Sequence, residues 1–279
     1  MAVVITLTTD FGLRDSYAGA MKGVILGINP DVTIVDISHS VTARNIREGA
    51  FVLGAAYRYF PKGTIHVAVI DPGVGSGRRA LLVDGSGYYF IAPDNGVLSH
   101  VLADALQKAS PAEARGSSEG IPRDLPTGFR AVALTRNRYW RPAVSDTFHG
   151  RDIFAPVAAH LSLGVPMEEF GDPVSSIQSF PRPSPLSTSG GTVQGQVVHI
   201  DGFGNLITNV RAGDLPEGDV EIELAGHRLM GVSRSYEEGD GLLAIIGSSG
   251  CLEISEKNGS AAEKTGAEIG TNVVIRPLA

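Results

Sequence analysis

Carboxylates recur where short apolar runs of the first half give out. Asp10 and Asp15 follow Val3–Thr8, Asp36 and His39 accompany Thr33–Ile37, and Asp71 with Arg78 follows Thr64–Ile70. Side chains of this kind can accept hydrogen bonds from hydroxyls, attract a cation or move a proton. Asp and Gly after strands also serve simply as turn and helix-cap residues, so each alone has a structural reading. The run Asp71-Pro72-Gly73-Val74-Gly75-Ser76-Gly77-Arg78 is more specific. Its glycines allow a close approach of backbone to something, and it is neither a P-loop nor a dinucleotide fingerprint, because the Gly-Lys-Ser/Thr ending and a following helix pattern are missing. Phe148-His149-Gly150-Arg151-Asp152 precedes a helical pattern of Ile153, Val157 and Leu161. His149 is thus expected at a helix start, where backbone N–H groups favour a neutral imidazole.

Other motifs fail on their surroundings. Asp10-Phe11-Gly12 lacks the remaining segments of a kinase, and Ser248-Ser249-Gly250 lacks the nucleophile elbow of a serine hydrolase. The histidines show no close ligand pair, so no metal site is expected.

The elements that must position these residues alternate strand and helix. Val3–Thr8, Thr33–Ile37 and Thr64–Ile70 read as strands. Tyr17 to Ile28 and Ile46 to Phe60 read as helices, the second opened by a capping box of Asn45 and Glu48. Ala80–Val83 and Tyr88–Ile91 read as a hairpin, and Val97 to Leu106 as a further helix. Strands apolar on both faces and interleaved with helices predict a Rossmann-like α/β domain with a mostly parallel sheet over residues 1–180. The loops at the carboxyl ends of its strands would then bring Asp10, Asp71 and their companions together. Lys108–Arg130 reads as a polar insertion loop, and residues 181–192 as a Pro/Ser/Gly linker. Beyond it, short strands at Val193–Ile200, Leu206–Val210, Val220–Leu224, Leu242–Ile246 and Val273–Ile275 predict an all-β barrel or sandwich domain over 193–279.

Composition narrows the partners. Of 279 residues, 43% are hydrophobic and 19% charged, which excludes wholesale disorder. Lys+Arg 23 against Asp+Glu 30 gives a net charge of −7, unsuited to nucleic acid or an anionic membrane as main partner. Cys251 is the single cysteine, so no disulfide framework exists, and the amino terminus reads as a strand rather than a signal peptide. A cytoplasmic location is expected, and no apolar run reaches membrane-spanning length.

Five motifs then line up in order: Thr8–Gly12 (TTDFG) with Asp15, Val69–Gly75 (VIDPGVG) with Arg78, Ala92–Gly96 (APDNG), Thr147–Pro156 (TFHGRDIFAP) and Asp201–Asn209 (DGFGNLITN). Together they resemble the S-adenosylmethionine (SAM) hydroxide adenosyltransferases, or adenosine-forming SAM hydrolases, relatives of the fluorinases and chlorinases. The resemblance implies an amino-terminal α/β domain, a carboxy-terminal β-barrel, and a homotrimer binding SAM between the first domain of one subunit and the second of its neighbour. It implies attack of water on C5′ of SAM without a cofactor, giving adenosine and L-methionine. It makes Asp71, Arg78 and His149 the triad around that water, with the proton going to either Asp71 or His149. Asp10 would hold the ribose hydroxyls, and Asp15, Asp201, Phe203, Asn205, Ser248 and Glu253 join the substrate-binding set. The halogenating relatives carry tyrosines where Asp71 and His149 stand, and fluorinases add a loop where Asp84–Gly87 is a tight turn. A chlorinase-like halogenase and a SAM or adenosine sensor without turnover are the alternatives. Lys108–Arg130 is longer than the family pattern, and Glu256-Lys257-Asn258 departs from the usual adenine-contacting run.

Overall fold

The structure, a computed structural model, describes residues 2–106, 120–188 and 190–278. Its chain divides into two compact units that part between Arg182 and Pro183.

In the first unit β1 (Val4–Thr9), α1 (Tyr17–Ile28), β2 (Thr33–Ser38), α2 (Ile46–Ala56), β3 (Ile65–Val69), β4 (Ala80–Gly85), β5 (Tyr88–Pro93) and α3 (Ser99–Leu106) lie within a residue or two of the expected elements, except that α2 stops four residues short of Phe60 and gives way to a 3-10 turn at Tyr57–Tyr59. Half of the capping box forms: Asn45 Oδ1 accepts from Glu48 N at 3.1 Å, but the Asn45 backbone N–H donates to the Thr42 carbonyl at 2.9 Å, and the Glu48 carboxylate accepts from Asn45 Nδ2 at 3.1 Å instead. The β4–β5 hairpin closes on Ser86 and Gly87, both at positive φ (53° and 81°), the conformation that matches the twist of a two-residue hairpin.

The chain continues through β6 (Ile121–Asp124), β7 (Arg130–Leu134), α4 (Ala155–Ser162), β8 (Gly171–Val174) and β9 (Ser176–Ser179). Seven strands form one sheet in the order β2-β1-β3-β5-β4-β7-β8. The four from β2 to β5 are parallel, and β4, β7 and β8 then pair antiparallel in turn, leaving five of the seven strands pointing the same way. Side chains alternate between two cores. Ile65, Val67 and Val69 pack toward α1 and α4, whereas Ala68 and Ile70 pack toward α2 and α3.

The expected polar loop Lys108–Arg130 needs correction at its carboxyl end. Residues 107–119 lie outside the described residues, but Ile121–Asp124 is a strand, paired antiparallel with β9 from Ile121↔Ser179 to Asp124↔Ser176. Three of its four residues are exposed, so no buried face marks it in the sequence.

The second unit holds β10 (Leu186–Ser187), β11 (Val193–Ile200), β12 (Leu206–Arg211), β13 (Val220–Leu224), β14 (His227–Met230), β15 (Leu242–Ile246), β16 (Cys251–Glu256), a short helix α5 (Ala261–Thr265) and β17 (Asn272–Pro277). Its antiparallel order is β14-β13-β17-β11-β12-β16-β15, with β10 added beside β11. A bridge from Ser233, just past β14, to Ile245 of β15 joins the two ends into a nearly closed barrel around Val197, Leu206, Ile222, Leu252 and Ile275.

Candidate active site

β1 and β3 are neighbours in register down to Thr9↔Val69, so the residues just beyond them, Asp10 and Asp71, leave the sheet side by side at its carboxyl edge. A cavity of about 350 Å³ opens there, lined by Asp10, Phe11, Tyr17, Arg44, Asp71, Val74, Thr147, Phe148 and His149 among others.

Three of these loops carry the chemistry. Arg78 grips Asp71 with two parallel hydrogen bonds, Nε to Oδ1 at 2.9 Å and Nη2 to Oδ2. The same Nη2 lies 3.0 Å from His149 Nδ1. The side chains of Asp71 and Arg78 are only 5% and 10% exposed, so the fork is shielded from solvent competition. Arg78 has no acceptor, so Nδ1 of His149 is the acceptor and a neutral ring carries its proton on Nε2. Neutrality is favoured: burial, then the Arg78 charge, holds the His149 pKa below its ordinary value, against a weaker pull from Asp71 and other carboxylates. The expected direction is met, with burial and a cation as its leading causes.

His149 is placed by an irregular turn. Gly150–Phe154 is a π-helical turn that runs into α4. Such turns shift the side chains that flank them and often lie at functional sites. Asp152 within it is fully buried and accepts from Arg151 at 2.7 and 2.9 Å, Arg141 at 3.0 Å and Ser145 N at 2.9 Å. Burial pushes this carboxyl's pKa up, but the donors outweigh it and hold it below the usual range. The loop before His149 is thereby tied to the turn after it. Gly75 explains part of the glycine run: at φ +77° it passes the backbone of Asp146 so closely that a Cβ would lie 2.4 Å from the Asp146 carbonyl oxygen. The close approach is between two site loops.

Asp10 is braced by a contact absent from the sequence reading. Its Oδ2 accepts from the backbone N–H of Arg44 at 2.7 Å, and Arg44 holds a left-handed φ of 67°. A main-chain donor leaves no signature in residue type. Asp36 and His39, conspicuous in sequence, brace this loop from behind. His39 Nδ1 meets Thr9 Oγ1 at 2.8 Å and Nε2 lies 3.0 Å from Asp36, while Gly12 N donates to the His39 carbonyl at 2.7 Å. Phe11, Tyr17 and Phe148 form a mutual aromatic cluster, with ring centroids 5.1–5.7 Å apart. The Asp10 carboxylate and the aromatic rings suit a cationic small molecule. Asp15 is exposed and lies outside this lining.

The remaining expected residues lie in the second unit. Asp201 folds its own loop, accepting from Phe203 N, Asn205 N and Asn205 Nδ2, each at 2.9 Å. This leaves Phe203 81% exposed. Glu253 is buried on β16 against Gly247, and its pKa is raised by burial and by the nearby Asp201. Ser248 is exposed in the turn between β15 and β16. Among the described residues no group of three His, Cys, Asp or Glu side chains is placed to hold a metal ion, and no helix is long and apolar enough to cross a membrane.

Comparison with known proteins adds to this geometry. The family described as SAM hydroxide adenosyltransferase N-terminal domain matches residues 5–171, and that described as SAM hydroxide adenosyltransferase C-terminal domain matches residues 195–274. The chain is 36% identical over 270 residues to a protein of Methanocaldococcus jannaschii named (R)-S-adenosyl-L-methionine hydrolase, covering 91% of this chain and 88% of that one. A protein of the same name from Thermus thermophilus is 37% identical over 268 residues, covering 95% and 96%. A fluorinase of an Actinoplanes species is more distant, 30% identical over 243 residues, covering 78% and 74%. Among solved structures, an uncharacterized conserved protein from Thermotoga maritima superposes with a TM-score of 0.83 at 32% identity, covering 98% of this chain and all of that one.

Proposed function

The chain belongs to the SAM hydroxide adenosyltransferase family, and from that premise we propose how its residues divide the work of hydrolysing S-adenosyl-L-methionine. The enzyme converts SAM and water to adenosine and L-methionine. Water oxygen bonds to C5′, the C5′–S bond breaks with its electron pair passing to sulfur, and one proton is released. Sulfur leaves as a neutral thioether, so no acid is needed at the leaving group. The protein's task is to hold one water in line and receive its proton.

The Arg78 fork supports a division of roles. With Nδ1 engaged by Arg78, neutral His149 offers an N–H at Nε2, which orients the water oxygen as a donor. Asp71, held in place by the Arg78 fork, is the remaining acceptor and takes the proton, passing it on to solvent. Asp10, with one oxygen on Arg44 N, keeps the other for a ribose hydroxyl. Asp201, Phe203, Asn205, Ser248 and Glu253 serve the nucleoside or amino-acid end. The highly exposed Phe203 supports a homotrimer in which this loop completes a neighbour's cavity. Because the sulfonium is already an activated leaving group, we infer that no metal is required; a chelator that abolished turnover, with rescue by one divalent ion, would overturn this.

Sulfur in SAM bears three different carbon substituents, and the relatives are named for the (R) form. We therefore propose that this enzyme prefers (R)-SAM. The observation carrying the whole reading is the Asp71–Arg78–His149 constellation within a chain of this family. Its test is turnover of each epimer in ¹⁸O-water, with chloride and fluoride in parallel. Label at O5′ of adenosine, faster from the (R) epimer, is the expected result. Halogenated nucleoside would favour the halogenase reading, and unchanged SAM a sensor.

A further inference from the structure

We propose that Asp94 and Asn95 are positioning residues that set the distance between Asp71 and Arg78, an inference that rests on the hydrolytic roles assigned above. The two catalytic side chains are seven positions apart, on a loop that leaves the sheet after β3 and re-enters it at β4. Strand pairing stops short of both ends, the β1–β3 ladder closing at Thr9↔Val69, two residues before Asp71. β3 pairs with β5 only to Val67↔Ile91, and β4 pairs with β5 only to Ala80↔Pro93. Ile70, just before Asp71, and Arg79, just after Arg78, lie beyond both ladders.

Asp94 and Asn95, the first two residues past β5, grip both. Asn95 Nδ2 donates to the Ile70 carbonyl at 2.8 Å, replacing the backbone donor that the diverging strands no longer supply. On the other side Asp94 N donates to the Arg79 carbonyl at 2.9 Å. The Asp94 carboxylate, 4% exposed, takes Arg79 Nε at 2.8 Å and Nη2 at 2.5 Å, and accepts from Gln178 N at 2.6 Å. Asn95 Oδ1 is itself fixed by Val97 N at 3.2 Å. Two adjacent residues thus clamp the two ends of the catalytic loop to one point of the sheet. A bidentate arginine–carboxylate pair tolerates little displacement of either partner. The clamp has this consequence for catalysis, and it leaves the cavity lining untouched, since neither residue is part of it.

The decisive variant is Asn95→Asp, which keeps the shape but sets an oxygen against the Ile70 carbonyl. Expected is a fall in kcat of about tenfold to a hundredfold, the scale of an ångström-level misplacement, with KM for SAM within about twofold. In an Arg78→Ala background the same substitution should cost nothing further, because the fork it serves is gone. A kcat per folded molecule that stays normal, or an equal loss in the Arg78→Ala background, would overturn the proposal. If Asn95→Asp does not fold, Asn95→Ser, too short to reach Ile70, carries the same expectations. Turnover by the parent enzyme, measured first, separates failure of this proposal from failure of the hydrolase reading.

Discussion

Roles at the scale of single residues follow from what each atom already holds. In the proposed mechanism Asp71 and His149 act on a water whose charge changes in the transition state, so their loss should lower kcat rather than raise KM. Asp71→Asn and His149→Ala are each expected to cost about 10²–10⁴ in kcat, the usual range for general acid–base groups. Asp10→Ala removes a contact made equally in ground and transition states, and should appear mainly in KM. Steady-state kinetics on the three variants checks this, and normal kcat in the first two would remove the triad from the mechanism. The pH profile is a second test. The proposed mechanism needs His149 as a neutral donor, and burial, then the Arg78 charge, lowers its pKa from the ordinary 6.5. Activity should therefore persist below pH 6.5 and fall only in more acidic solution, and His149→Asn, which cannot be protonated, should lose that acid limb.

Elements hold these residues by close contact and by buried polar groups, and both leave measurable traces. Gly75→Ala would force a Cβ against the Asp146 carbonyl and strain a positive φ. The two site loops would separate, so kcat should fall at least tenfold with a lowered Tm, a size expected for an ångström-scale shift; unchanged kinetics would contradict the packing. On the other side of the sheet, His66 of β3 is fully buried, hydrogen-bonded to Thr6 Oγ1 at 2.7 Å and stacked on Phe90. Burial lowers its pKa to about 4 from 6.5. The unfolded chain therefore takes up this proton before the folded one does, and stability from this group is complete above pH 6.5 and lost as pH falls toward 4. The full loss is ~3 kcal/mol. Urea titrations at pH 7.5, 5.5 and 4 should show that decline, and His66→Gln should flatten it.

For the whole molecule the question is which surfaces are complete in one protomer. The first unit carries the triad and the cavity, while the Asp201 loop of the second unit leaves an aromatic ring in solvent. Exposed aromatics of this kind are enriched where partners bind. A trimer in which this ring enters a neighbour's site predicts that Phe203→Ala raises KM for SAM while the triad's kcat is largely kept. Sedimentation should find trimers, and a fully active monomer would refute the arrangement.

Local rules made much of this legible in the sequence. Short runs apolar on both faces, helical spacing and the Asn45–Glu48 cap signal give β1 to β5 with α1 to α3, because such elements answer to neighbours a few residues away. The same reading put Asp10, Asp71 and Arg78 at strand ends, and parallel pairing of β1 with β3 brings the two carboxylates together. What stayed hidden depends on partners distant in the chain. β6 has no buried face and exists through its pairing with β9, so its polar sequence reads as loop. Arg44 supports Asp10 through a main-chain N–H that any residue possesses. Gly75 is required by the Asp146 backbone, 71 positions away, and Arg78 meets His149 across an equal span. Residue types and spacing named the groups that could react; the tertiary fold decided which atom of each was already occupied, and so which the proposed mechanism leaves free to act on water.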